Sequence, residues 1–141
     1  MIYKDTYKTP SNFSDMIMTS DGEYLTGLWF KCSKDELKHK EEGTNKSLSI
    51  FDDTKKWLDI YFSGNEPSFT PKYKIDNTTD FRKNIISKMN QIPYGKVVSY
   101  GDIAREVAKE KGIKKMSAQA VGGAVGANPI CIIIPCQRVI G

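Results

Sequence analysis

A chain of 141 residues, 39% hydrophobic and 27% charged, holds enough apolar material for one domain or two small lobes, a balance that excludes a disordered chain. No window nears the run of about 18 apolar residues that a membrane helix needs, and the opening MIYKDTYKTP carries charge where a signal peptide is apolar, so a cytoplasmic protein with no membrane partner is expected. The formal charge of +4 is uneven: residues 1–80 hold 11 Lys+Arg against 14 Asp+Glu, a net −3, and residues 81–141 hold 10 against 3, a net +7, which suits either a solvated basic face or a surface that meets a polyanion such as nucleic acid.

In chain order, FSDMIMTSDGEYLTGLWF reads as two β-branched and aromatic runs around Asp21-Gly22, because glycine accepts the positive φ of a tight turn. Strands are predicted at about 13–19 and 24–31. From Ser33 to Ser47 the composition turns to Lys, Glu, Asp, Gly and Asn, the mark of a solvated loop. Asp52-Asp53 then places acids at the start of a helix whose Trp57, Ile60 and Tyr61 share a face, and Gly64 closes it. NEPSFTPKYKIDNT, with two prolines, reads as a linker, and the domain boundary is set near residue 78.

The second lobe opens at Thr79-Asp80 with FRKNIISKMNQI, where Phe81, Ile85, Met89 and Ile92 keep near-helical spacing until Pro93-Tyr94-Gly95 stops it. Ser99 is a natural N-cap for YGDIAREVAKEKG, with Asp102 three residues on as in a capping box. Ser117 repeats the pattern for AQAVGGAVGAN. Two capped helices joined by a short turn in the basic half resemble a helix-turn-helix. Each interior glycine of the second helix costs roughly 1 kcal/mol against alanine, so its slimness serves either a nucleic-acid groove or close packing on a neighbour.

The three cysteines, Cys32, Cys131 and Cys136, form no C-x-x-C, and His39 is the single histidine, so no disulfide framework or metal site is expected, and Cys32 and His39 receive no role. CIIIPC reads as a short buried strand. Pro135 then forces a turn, which leaves Cys136 where a core element gives way to a loop. Attack by sulfur requires the thiolate, and a thiol with an ordinary pKa of about 8.5 needs an activator. Arg138 adds positive potential but accepts no proton, and Gln137 is not a base. From these residues alone Cys136 reads either as a small core side chain or as a nucleophile.

The stretches TDFRKNIISKMNQIPYGKVVSYGDIA, SAQAVGGAVGANP and IIIPCQRVIG, in this order and spacing, resemble the methylated-DNA-protein-cysteine methyltransferases, the O6-alkylguanine-DNA alkyltransferase family. The resemblance runs almost without gaps from Thr79 to Gly141 and is looser over the first 78 residues. It implies an N-terminal ribonuclease-H-like α/β domain over 1–78 and a C-terminal winged helix-turn-helix domain over 79–141 that stops short of the family's last segment. It also implies a monomer that binds double-stranded DNA, flips O6-alkylguanine out of the stack and takes the alkyl group onto its own cysteine once, with no cofactor.

Carried over by position, Cys136 is the alkyl acceptor, Tyr100 turns the target nucleotide, and Asn128 is the hinge between recognition helix and active-site loop. Val125, Pro135 and Val139 line the pocket, and Arg138 supports it. Ser99, Tyr100, Ser117, Ala118 and Gln119 are the DNA-facing set, with Gln119 where many members have an arginine. Gln137 stands where the family has the histidine that takes the thiol proton through a water. That departure keeps a second reading open, a non-catalytic module that binds damaged guanine.

Overall fold

The computed structural model describes residues 1–10, 12–31, 43–76 and 78–141, in two units, Met1–Asp76 and Asn77–Gly141. Cys32, His39 and most of the loop expected at 33–47 lie outside the described residues. The fold is mixed α/β, with four α-helices among the described residues and a mixed sheet.

In the first unit, β1 (Tyr3–Tyr7), β2 (Met16–Ser20), β3 (Leu25–Phe30) and β4 (Thr44–Asn45) form a sheet of order β3-β2-β1-β4, antiparallel except for the parallel β1–β4 pair. The expected hairpin is present. Asp21 accepts hydrogen bonds from the backbone N–H groups of Glu23 and Tyr24 at 3.0 and 2.9 Å, which hold its carboxyl below the usual range, and Gly22 takes φ 112°. Its first strand begins at Met16 rather than 13, because the Thr9 hydroxyl is within hydrogen-bonding distance of the carbonyls of Phe13 and Ser14 and keeps them in a turn.

β1 carries no strand signal in the sequence, since YKDTY has one buried side chain, Tyr7. Pairing with β2 along its whole length makes it a strand, and the Tyr7 hydroxyl donates to Asp59 at 2.7 Å. Burial, then the Asp59 carboxylate, pushes the Tyr7 phenol up. Asp59 belongs to α1 (Ser49–Phe62), which starts three residues before Asp52 and packs on β2 and β3 through a stripe at Ile50, Phe51, Thr54, Trp57 and Leu58. Part of the Pro-containing stretch is pinned to this unit: Lys72 O accepts from Leu25 N at 2.8 Å and Lys74 N donates to Leu25 O at 2.9 Å.

In the second unit, α2 (Asp80–Asn90) is capped by Thr79, whose hydroxyl accepts from Arg82 N at 3.1 Å. After β5 (Val98–Ser99), α3 (Tyr100–Lys111) carries the full reciprocal capping box, Asp102 N to Ser99 Oγ at 3.0 Å and Ser99 N to Asp102 Oδ2 at 2.9 Å. Gly112 ends it with φ 66°. α4 (Ala118–Gly126) starts from Ser117, which accepts from Ala120 N at 3.1 Å. A 3-10 turn over Cys136–Arg138 leads into β6 (Val139–Ile140), which pairs parallel with β5.

Lys88 of α2 is buried, with its side chain 7% exposed, and its ammonium is paired with Glu110 and, at 3.3 Å, with Glu106, both on α3. The hydrogen bond to Glu110 raises the Lys88 pKa, while Lys88, and Asn84 beside it, hold the Glu110 carboxyl low. A carboxyl that is depressed on folding contributes stability present above its unfolded pKa, about 4.3, and lost as pH falls through the folded value. Lowering pH from 5 to 3 is therefore expected to reduce the melting temperature, and Glu110→Gln to flatten that acid-side slope. Thermal melts across this range check it, and equal slopes for both proteins would exclude the pair as a contributor.

Candidate functional site

The run predicted as a strand is instead a tight turn. Residues 131–133 make no ladder, although Ile130, Cys131, Ile132, Ile133 and Ile134 are all buried as expected. Ile133 N donates to Cys131 O at 2.8 Å across Ile132, which has φ 69°, and Ile134 N donates to Ile130 O at 3.2 Å. A β-branched residue in the left-handed region stores strain and persists only where its surroundings impose it. Apolar content fixed the burial of these residues, and hydrogen bonding fixed their shape.

Asn128 supplies those surroundings. At 3% exposure it donates Nδ2–H to Ile134 O at 2.9 Å and accepts at Oδ1 from Ile130 N at 3.0 Å, so one buried amide spans the turn from both ends. Asn128→Ala leaves a buried carbonyl and a buried N–H without these partners, a loss of about 2–4 kcal/mol. The expected result is a lower urea midpoint together with loss of the site. A midpoint equal to the parent's would show that the clamp carries no load.

Pro135, with φ −80° and ψ 66°, continues the chain in an inverse γ-turn closed by Cys136 N to Ile134 O at 2.8 Å. Pro135 is buried and Cys136 is half-buried, at the first position of the 3-10 turn. Gln137 is exposed and its Nε2 donates to Ile132 O at 3.3 Å. Arg138 donates from Nη1 to Ile92 O at 2.8 Å, and its guanidinium lies 5.5 Å from the Tyr94 ring centre. The segment after α2 thus anchors the segment after the thiol.

Val139, buried, pairs with Val98, and Ile140 pairs with Ser99, which brings the Cys136 loop beside the strand that runs into Tyr100. Tyr100 opens α3, and its ring lies over Gly122 of α4: a Cβ on Gly122 would stand 3.9 Å from the ring. Gly123, in contrast, faces open space, and Ser117, Ala118 and Gln119 are exposed on the first turn of α4 and its cap. Of the two purposes weighed for this slim helix, close packing does not demand either glycine: a methyl group on Gly122 would meet the Tyr100 ring at ordinary van der Waals distance, and Gly123 stands on the open side. Val125 is buried with Val121 and Ala124, on the core side of the helix.

Thus Asn128, Pro135, Cys136, Gln137, Arg138 and Val139 share one loop, joined to Ser99 and Tyr100 by the β5–β6 pair and to α4 by the Tyr100–Gly122 contact. Sequence reasoning missed Ile132, whose carbonyl holds Gln137, and Ile92 and Tyr94, which hold Arg138. An isoleucine gives no signal of positive φ, and the Arg138 contacts depend on the tertiary fold.

Residues 80–141 match the family model described as 6-O-methylguanine DNA methyltransferase, DNA binding domain. The chain is 32% identical to the methylated-DNA-protein-cysteine methyltransferase of Haemophilus influenzae, over 94% of this chain and 70% of that protein. It is 30% identical to that of Methanosarcina acetivorans, over 99% of this chain and 84% of the relative. Among solved structures, the O6-methylguanine methyltransferase R37L variant of Mycobacterium tuberculosis superposes with a TM-score of 0.77 at 32% identity, covering 100% of this chain and 79% of that one. The same organism's OGT in complex with DNA gives 0.76 at 31% identity, over 99% and 78%. A chain that carries a half-buried cysteine on a clamped turn, in a unit with two serine-capped helices, therefore has relatives along nearly its whole length, and it belongs to the methylated-DNA-protein-cysteine methyltransferase family.

Proposed function

We propose that this chain is a DNA-repair alkyltransferase that moves a methyl group from O6-methylguanine in duplex DNA to Sγ of Cys136. The observation that carries the reading is the half-buried Cys136 on a clamped turn whose following strand pairs with the strand that leads into Tyr100, in a member of this family. The domain reading goes with it: a ribonuclease-H-like α/β domain over 1–78 and a winged helix-turn-helix domain over 79–141.

In the reaction the thiolate attacks the methyl carbon. The S–C bond forms as the C–O6 bond breaks, the electron pair stays on the base, and a proton restores guanine. The alkylated base is itself the electrophile, so the balance requires no oxidant, reductant or cofactor. The thioether has no route back, which makes each molecule a single-use reagent. Ser117, Ala118 and Gln119 meet the groove with Ser99 and Tyr100, and Tyr100 turns the nucleotide. Pro135, Val139 and Val125 bound the pocket, while Asn128 and Arg138 hold its loop.

Gln137 favours a second reading, a module that binds damaged guanine without transferring the alkyl group, because an amide cannot take the thiol proton. Incubation with duplex DNA carrying O6-methylguanine, followed by intact mass and peptide mapping, separates the two. One added methyl on the Cys136 peptide is the expected result. Damage-selective binding without it transfers the assignment to the binding module, and neither signal sinks both.

A further inference from the structure

Beside the first turn of α4, on the side away from Cys136 in the chain, a pocket of about 400 Å³ lies between α3 and the segment that joins it to α4. Its lining is apolar at Ala104, Ala108, Ile113 and Met116 and basic at Arg105, Lys109, Lys114 and Lys115. Arg105 is already paired with Asp102. The three lysines make no ion pair among the described residues, and no acidic residue lines the pocket with them. Ala118, the first residue of α4, also lines the pocket, which places it next to the residues read as groove-facing.

We propose that this pocket seats the sugar-phosphate backbone of DNA flanking the alkylated site. The inference rests on the DNA-repair reading above and deepens it. The chemistry matches on both counts: ammonium groups take the phosphate oxygens, and the apolar side chains of the lining take the face of a deoxyribose. Contacts of this kind position a protein on a duplex and carry no base information. They add affinity equally for damaged and undamaged DNA and leave selectivity to the loop that holds Cys136.

The test compares the parent, Lys114→Ala/Lys115→Ala, and a control with the same charge loss on exposed lysines of the first unit, Lys8→Ala/Lys72→Ala. Binding of each to one duplex, with and without O6-methylguanine, is followed across a salt series. Removing one lysine that neutralises a phosphate makes the plot of log affinity against log salt shallower by about 0.9, so the first variant is expected to flatten by about 2 in slope, with its preference for the damaged duplex unchanged. The control is expected to keep the parent's slope. An unchanged slope in Lys114→Ala/Lys115→Ala while the parent still binds duplex overturns the pocket and spares the repair reading. An equal flattening in the control overturns it too, as an effect of net charge alone. A parent that binds no duplex at low salt overturns the repair reading and this inference together.

Discussion

Cys136→Ser is expected to abolish methyl transfer and to leave duplex binding and thermal stability close to the parent's. The substitution is nearly isosteric and the position is half-buried, so no cavity opens in the core. Its backbone N–H bond to Ile134 O is independent of the side chain. The chemistry changes completely, because a hydroxyl ionises far less readily than a thiol and an alkoxide is scarce near neutral pH without a strong base. Mass analysis after incubation with O6-methylguanine duplex should show no methylated protein, while a gel shift still shows binding. A methyl group found on Cys32 or Cys131 of this variant would move the acceptor and sink the assignment.

The opposite effect is expected from Gln137→His. A correctly placed general base contributes about 10²–10⁴ in rate, and the parent has at this position an amide already donating to Ile132 O. On the proposed reading an imidazole there takes the thiol proton through one water, so single-turnover transfer is expected to rise at least about a hundredfold at neutral pH. The rate profile should change as well. Attack through a small thiolate fraction gains about tenfold per pH unit, whereas a paired thiol and imidazole flatten that dependence. Because Gln137 is exposed, stability should hardly move. Equal rates for parent and variant across the pH series would show that proton removal is not what limits the reaction at this position.

Local chemistry made much of the second unit legible. Thr79, Ser99 and Ser117 are capping residues whose hydroxyls accept hydrogen bonds wherever a helix begins, and all three do so here. The Asp21-Gly22 turn was readable for the same reason, since both residues act within their own few neighbours. What the sequence concealed depends on distant partners. β1 is a strand because β2 pairs with it, and the CIIIPC stretch is a turn because Asn128 holds both its ends. Four apolar residues in a row state that a segment is buried, and they leave open whether it extends or folds back. The role of Arg138 was equally hidden, as its carbonyl partner Ile92 lies in the segment after α2.

The smaller of the two sheets among the described residues holds the Cys136 loop in place. Two residues of β5 and two of β6 hold the thiol's loop against the start of α3, although they are distant in the chain. Closing so long a loop is slow, and a ladder this short opens more readily than the helices around it. The seating of this loop is thus a local equilibrium: because the Val139 N–H donates to Cys136 O inside the 3-10 turn, its exchange with solvent is expected to report opening of the turn that carries the thiol.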